Sequence, residues 1–340
     1  MGVENSKNPP LVWGYRWSND VVQGAIKERK LLRASIAVPG GPAERECNLK
    51  CIFCFTEGGQ RNRSVTALSN EEVVNTLTNA SAYAYSPDLM NYFLCSEGEP
   101  TLNPELPTVI KETAKLGGTM TIFSNLLEIS DEVLESFVDN HNLFVCGKLY
   151  SLNSDNGDQL LGMRGSLAGA YDKIMKNIKR LQQLGLSQEG RLGVQCVVTS
   201  KNANEILDIF KWGRDNGVVP HIMPFRPQGR GSKTTYLEVP ADQLKAIYKS
   251  CADYDKSTYG YEWVADPPVM GYGKCVIPGN NIYVVSNGNV NICAGIEETI
   301  GNVRTDSMEM IVHHPRMDFF RQKFSICPWL AELNEQSTSL

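Results

Sequence analysis

Apolar and polar positions alternate along most of the chain in a two-part rhythm. Short runs rich in β-branched and aromatic residues are followed by longer stretches with apolar positions at helical spacing. The short runs fall at 33–38, 91–95, 119–123, 143–149, 192–198 and 219–225. Between them the spacing predicts helices ending near residues 82, 116, 138, 184 and 216. Local chemistry agrees at several ends. Ser69 with Glu72 three residues on is a capping box, Ser130 caps the third helix, and Gly117-Gly118 stops the second. Ile174, Ile178 and Leu181 form one apolar stripe on the fourth. Strands that read as buried on both faces, each followed by a helix, predict a parallel sheet under helices. Six such units fall short of the eight in a closed barrel, so the pattern alone leaves a partial barrel or a doubly wound sheet. Right-handed crossovers place the loop after each strand on one rim, where a site would lie.

The two ends of the chain differ from this rhythm. Residues 1–32 read as an N-terminal extension with a Pro9-Pro10 break, Trp13 and Trp17, and a short helical pattern through Val21, Val22, Ala25 and Ile26. Past Gly231 a helix is expected from Pro240 to about residue 254, followed by a loop-rich tail. Within that tail two short runs, 282–285 and 290–292, flank Ser286-Asn287-Gly288-Asn289, a strong hairpin signal because Asn-Gly tolerates positive φ. The expected division is therefore 1–32, 33–232 and 233–340.

Composition removes several classes of protein. The chain has 340 residues, 42% hydrophobic and 21% charged, which excludes disorder, collagen and coiled coil. A net charge of −5 with no block of like charges argues against nucleic-acid binding, and no apolar run is long enough to span a membrane. No signal peptide pattern stands at the amino terminus, although Met1-Gly2-Val3-Glu4-Asn5-Ser6 fits the loose myristoylation pattern. A cytoplasmic location is expected, and ten cysteines in a reducing compartment read as thiols, metal ligands or catalytic groups rather than disulfides.

The spacing of those cysteines carries the chemistry. Cys47-Asn48-Leu49-Lys50-Cys51-Ile52-Phe53-Cys54 sets three thiols into eight residues just after the first expected strand. Zinc and iron–sulfur clusters both accept soft sulfur ligands. Structural zinc needs a fourth ligand, yet no further Cys or His lies nearby, and His141 is the first histidine. A [4Fe–4S] cube on three cysteines keeps one iron open, which is what separates a catalytic metal from a structural one.

C-x3-C-x-Φ-C with Phe53 before its last cysteine, placed after strand one of a βα array, resembles the signature of the radical S-adenosylmethionine (SAM) superfamily. The resemblance covers about residues 33–232. Ser96-Glu97-Gly98-Glu99-Pro100 ends the second strand, where the family carries a Gly-Gly-Glu-Pro-like motif that meets the SAM amino group; Glu97 stands for its first glycine. Ser124-Asn125 ends the third, where the family has a Ser/Thr-Asn-Gly turn, with Leu126 in place of that glycine. Ser151-Leu152-Asn153 and Arg164-Gly165 are similar to a later segment that implies Ser151 and Arg164 at the SAM ribose and carboxylate. Arg226-Pro227-Gln228-Gly229-Arg230-Gly231 ends strand six, where related chains close the SAM pocket. The resemblance thus implies a partial (β/α)6 TIM-like barrel. Its implied SAM contacts are Phe53, Gly98, Glu99, Pro100, Ser124, Asn125, Ser151 and Arg164.

A second cysteine group resembles the "twitch" extension, a shortened SPASM domain holding an auxiliary [4Fe–4S] cluster. Cys275, Gly288 and Cys293 stand at C-x12-G-x4-C, with Cys327 farther on. A C-x2-C pair often ends such a domain, but Leu330 stands three residues after Cys327, so Cys251 or a non-cysteine group completes the set, or one iron stays open. Cys95, Cys146 and Cys196 read as strand core residues, and His221, His313 and His314 as structural.

The function this implies is reductive cleavage of SAM to a 5′-deoxyadenosyl radical, which takes a hydrogen atom from the substrate. Dehydrogenation, elimination or epimerisation follows, with a one-electron donor such as flavodoxin or ferredoxin. Only about 32 residues precede strand one, where peptide-modifying members often carry a recognition module. A small polar substrate is therefore expected, such as a sugar or aminocyclitol, with Lys148, Asn153, Arg226 and Gln228 as candidate contacts. The alternatives are a peptide-modifying maturase and a non-catalytic iron–sulfur or zinc protein.

Overall fold

The structure, a computed structural model, describes residues 8–40, 46–56, 66–95, 97–163, 169–265 and 277–322. Arg164, Cys275 and Cys327 lie outside the described residues. Six parallel strands, β1 (Arg33–Ala37), β2 (Asn91–Cys95), β3 (Thr119–Phe123), β4 (Leu143–Lys148), β5 (Leu192–Val198) and β6 (Val219–Pro224), pair in sequence order. All six expected strands form, and β6 holds Pro220 and Pro224 at the sheet's edge, where a missing N–H is tolerated.

Helices α1 (Asn19–Glu28), α2 (Asn70–Ser81), α3 (Leu106–Ala114) and α4 (Asp131–Asp139) match the sequence pattern to within a few residues. A short α5 (Ser154–Leu160), absent from that pattern, precedes α6 (Ala170–Gln183) and α7 (Ile206–Asp215). The Ser69 capping box is made in full: Glu72 N–H donates to Ser69 Oγ at 3.1 Å and Ser69 N–H to Glu72 Oε2 at 2.7 Å. Glu72 also accepts from Arg304 at 2.6 Å, and these two partners hold its carboxyl down at about 2. Arg304 donates as well to the carbonyls of Thr66 and Ala67, so it fastens the C-terminal segment to the start of α2.

The C-terminal segment continues the sheet. After α8 (Ala241–Tyr259), β7 (Asn281–Val284) lies parallel to β1, with Arg33 opposite Asn281 and Ser35 opposite Tyr283. Strands β8 (Asn289–Cys293) and β9 (Ile296–Asn302) follow in antiparallel order, giving one nine-stranded sheet in the sequence β6-β5-β4-β3-β2-β1-β7-β8-β9. The hairpin is the one expected at Asn287-Gly288, whereas β9 and the helices α9 (Met308–Val312) and α10 (Pro315–Gln322) had no clear signal. Among the described residues no helix is long and apolar enough to cross a membrane.

The N-terminal extension is part of the barrel. Val12 packs with Phe144, Cys146 and Val219 at the base of the lumen, and the Trp13 ring lies 5.6 Å from Phe144. The Trp13 carbonyl accepts from Thr121 Oγ1 at 3.1 Å, and that of Gly14 from Arg33 Nη1 at 3.3 Å. Gly14 has φ +79°, and a Cβ there would sit 2.4 Å from the Asn91 side chain, so only glycine lets the chain pass this close. Tyr15 then lies tilted against His221 at 4.8 Å and edge-on to Phe93 at 5.3 Å. These contacts close the bottom of the lumen.

Candidate active site at the barrel rim

Strand direction decides what surrounds the lumen. Alternate residues of each strand face inward, and the loops after the strands cross the top. Together they enclose a cavity of about 270 Å³. Its upper wall holds Cys47, Cys51, Cys54, Phe53, Gly98 and Asn125, drawn from the loops after β1, β2 and β3. Lys148 and Arg226 line it from β4 and from just after β6, and Cys293 from the end of β8.

The cysteine loop is clamped through its own main-chain groups rather than through its thiols. Lys50 and Ile52 N–H donate to the carbonyls of Leu161 and Leu160 at 3.2 and 3.1 Å. Arg230 donates to the Cys51 carbonyl at 2.8 Å, its own N–H reaches the Cys54 carbonyl at 2.9 Å, and Thr234 Oγ1 reaches Ile52 O at 3.0 Å. Residues 229–234 therefore brace the cysteine loop. Burial and the neighbouring Glu99 push the Cys47 thiol up to about 12, and burial with the other two thiols raises Cys51 well above its ordinary value. Two thiols that resist ionisation alone, with Cys54 beside them on the same cavity wall, fit a cationic soft-metal group, which removes the protons and offsets the mutual repulsion. Among the described residues no three Cys, His, Asp or Glu groups converge tightly enough for a single ion.

The loop after β2 is stitched to this cysteine loop. Glu99 N–H donates to Glu46 O at 2.6 Å, Thr56 Oγ1 donates to Glu97 O at 2.8 Å, and a Cβ on Gly98 would lie 1.9 Å from Glu46 O. No side chain fits at 98. The Glu99 carboxylate is buried and accepts from Ser124 Oγ (2.6 Å), Asn125 N–H (2.6 Å), Thr101 N–H (3.1 Å) and Thr101 Oγ1 (2.8 Å). Burial nevertheless raises its pKa, while these donors oppose the rise. Glu97, the residue standing for a family glycine, accepts from both the N–H and the hydroxyl of Ser286 and so ties this loop to the β7–β8 hairpin.

The other expected residues divide. Asn125 reaches Asn48 Oδ1 at 2.8 Å, and Phe53 meets the Tyr150 ring edge-on at 4.7 Å. Pro100 starts a short 3-10 turn, and Ser124 is buried with its hydroxyl on Glu99. Ser151 is buried away from the cavity wall and donates to Glu205 at 2.5 Å. Asn153 caps α5, accepting from Asn156 N–H at 3.0 Å, and Gln228 lies off the cavity wall. Cys251 is buried on α8 beside Tyr248, in the stripe packed on α7, and does not share the cavity wall with Cys293. That packing argues against its completing a cluster there. Cys146 and Cys196 are core residues, but Cys95 lines the cavity.

Several lining residues escaped sequence reasoning: Tyr15, Arg33, Phe93, Phe123, Gln195 and Tyr283. A charged or amide side chain inside an otherwise apolar strand, as at Arg33 and Gln195, is the signal that marks an inward position. Lys148 donates to Gln195 Oε1 and lies 4.9 Å over the Phe123 ring; burial lowers its pKa. Burial and the nearby cations hold His221 neutral, down at about 3.

The sequence profile of the radical SAM superfamily matches residues 45–213, and that of the SPASM iron–sulfur cluster-binding domain matches residues 275–329. The chain belongs to the radical SAM superfamily. Its cofactors are accordingly a [4Fe–4S] cluster and SAM, with auxiliary iron–sulfur binding in the SPASM domain. Among curated relatives, this radical SAM chain is 25% identical over 187 residues to the tungsten-containing aldehyde ferredoxin oxidoreductase cofactor-modifying protein of Pyrococcus furiosus, covering 54% of this chain and 50% of that one. It is also 25% identical over 207 residues to the Fe-coproporphyrin III synthase of Methanosarcina barkeri, covering 59% and 47%. It spans about half the length of these relatives. The crystal structure of Streptococcus suis SuiB bound to precursor peptide SuiA superposes with a TM-score of 0.65 at 17% identity, over 89% of this chain and 70% of that one. That likeness is one of fold.

Leu126 occupies the position where the family turn has glycine, and its φ is +58°. It is fully buried and fills the space left by Gly147, whose added Cβ would lie 2.5 Å from Leu126 Cδ1. Leu126→Gly recovers about 1 kcal/mol of left-handed strain but loses about 2–5 kcal/mol of packing. A net loss of stability is expected, read as a lower urea midpoint at unchanged slope.

Proposed function

We propose that this chain is a radical SAM enzyme acting on a small molecule held in the barrel lumen, with oxidoreductase or lyase chemistry. The supporting observation is the convergence of Cys47, Cys51 and Cys54, the Gly98 and Asn125 loops, Lys148 and Cys293 on one cavity whose base is closed. Bound there, the cluster and SAM supply a one-electron route to hydrogen-atom abstraction from an unactivated C–H bond.

The chain's own residues hold and exclude. The three cysteines secure the cluster. The bare backbone at Gly98 and the Asn125 amide border the space for SAM. Phe93, Phe123 and Tyr15 form an apolar floor that keeps water from a reactive centre. We assign Cys293, with Cys275 and Cys327, to the auxiliary cluster; that Cys293 lines the same cavity supports a route there for the electron that substrate oxidation would release. A one-electron donor such as flavodoxin or ferredoxin is the proposed reductant.

Anaerobic, cluster-loaded protein given dithionite and SAM is expected to release 5′-deoxyadenosine and methionine, measured by liquid chromatography. Cluster-replete protein that releases neither would favour an electron-transfer or binding role instead.

A further inference from the structure

The charge of the lumen wall is one-sided. Among the described residues lining the cavity there are three cations, Arg33, Lys148 and Arg226, and a single carboxylate, Glu99. That carboxylate already accepts four hydrogen bonds from Ser124, Asn125 and Thr101. Arg33 is held at the base by Asn281 Oδ1 (3.0 Å) and the Gly14 carbonyl, with its guanidinium over the Phe93 ring at 4.3 Å. Lys148 differs. Its ammonium touches a neutral amide, Gln195, and the face of Phe123, and no carboxylate among the described residues pairs with it.

Glu99 acts on Lys148 only through space and already accepts four hydrogen bonds, so the enclosed ammonium has no direct carboxylate partner and its wall favours an anion beside it. The rest of the lumen is poorly suited to a polyol. Ser35 already donates to Asn281 at 3.0 Å, and Phe93, Phe123 and Met223 present apolar surface. A cationic aminocyclitol, expected from the sequence, would meet three like charges. We infer that the substrate is an anion, a carboxylate or phosphate on an apolar or aromatic body, with its charged group on Lys148. This rests on the reading of the cavity as the substrate site of a radical SAM enzyme.

The test needs no turnover. Cluster-loaded, SAM-bound protein is titrated anaerobically by calorimetry with four probes of one shape: benzoate, phenyl phosphate, benzyl alcohol and benzylamine. At least one anion is expected to bind roughly tenfold or more tighter than the alcohol, and benzylamine weakest of all. The tighter anion names the group. Lys148→Met is expected to bring the anions to the level of the alcohol, while Lys148→Arg keeps the preference. Equal or undetectable binding of anionic and neutral probes overturns the inference, as does a preference that survives Lys148→Met. It is equally overturned if Lys148→Met weakens SAM binding as much as anion binding, because the ammonium then serves the SAM carboxylate. Failure of the wild-type protein to form 5′-deoxyadenosine would sink the enzyme reading alone and leave this charge preference standing or falling by itself.

Discussion

Cys51→Ala is expected to remove about four irons per chain from anaerobically reconstituted protein and to reduce 5′-deoxyadenosine formation to background. Cys51 lines the cavity with Cys47 and Cys54, and a cube held, as proposed, by these three protein sulfurs would have no spare ligand. The fold should survive the change. The loop is carried by main-chain bonds from Lys50 and Ile52 to α5 and by Arg230 on the Cys51 carbonyl, none of which uses the thiol. Cys146→Ala, in the packed base of the barrel, is the comparison and should keep its iron. Iron analysis and the visible absorption of the cluster measure both. An unchanged iron content in Cys51→Ala would remove the ligand assignment.

Glu99→Gln is the second large effect. Four donors point at the carboxylate, and an amide replaces one acceptor with a group that itself donates. At least one of the Ser124, Asn125 and Thr101 donors then loses its partner in a buried setting, at about 1–3 kcal/mol for each such group. A destabilisation of about 3 kcal/mol is expected, seen as a fall in the urea midpoint of metal-free protein. Ser124→Ala removes one donor and should cost clearly less. If Glu99→Gln unfolds at the wild-type midpoint, the carboxylate is not the knot that joins the loops after β2 and β3.

The alternation of buried strands and amphipathic helices was legible because each strand is covered on both faces and each helix carries one stripe. Ser69 with Glu72 and the Asn287-Gly288 turn were legible because local chemistry alone dictates them. The three thiols around residue fifty were legible from spacing. What could not be read depends on distant pairing. β9 joins through irregular register with β8, and nothing in Ile296–Asn302 announces it. Tyr15 and Arg33 meet at the lumen base only because residues 12–15 fold back beneath the strands. Ser151 and Asn153 carried the right residue types for a ligand, but the neighbouring Glu205 and Asn156 engage their side chains.

The pairing of β7 with β1 makes the auxiliary segment a tenth-wheel only in sequence, not in space. Cutting it away would bare the main-chain groups along β1, an invitation to stray strands from other molecules. Because β1 also carries Arg33 and precedes the cysteine loop in the chain, the hairpin and the cavity share one strand. Grafting this tail onto another barrel, or exchanging it between relatives, would therefore mean transplanting the seam along with it.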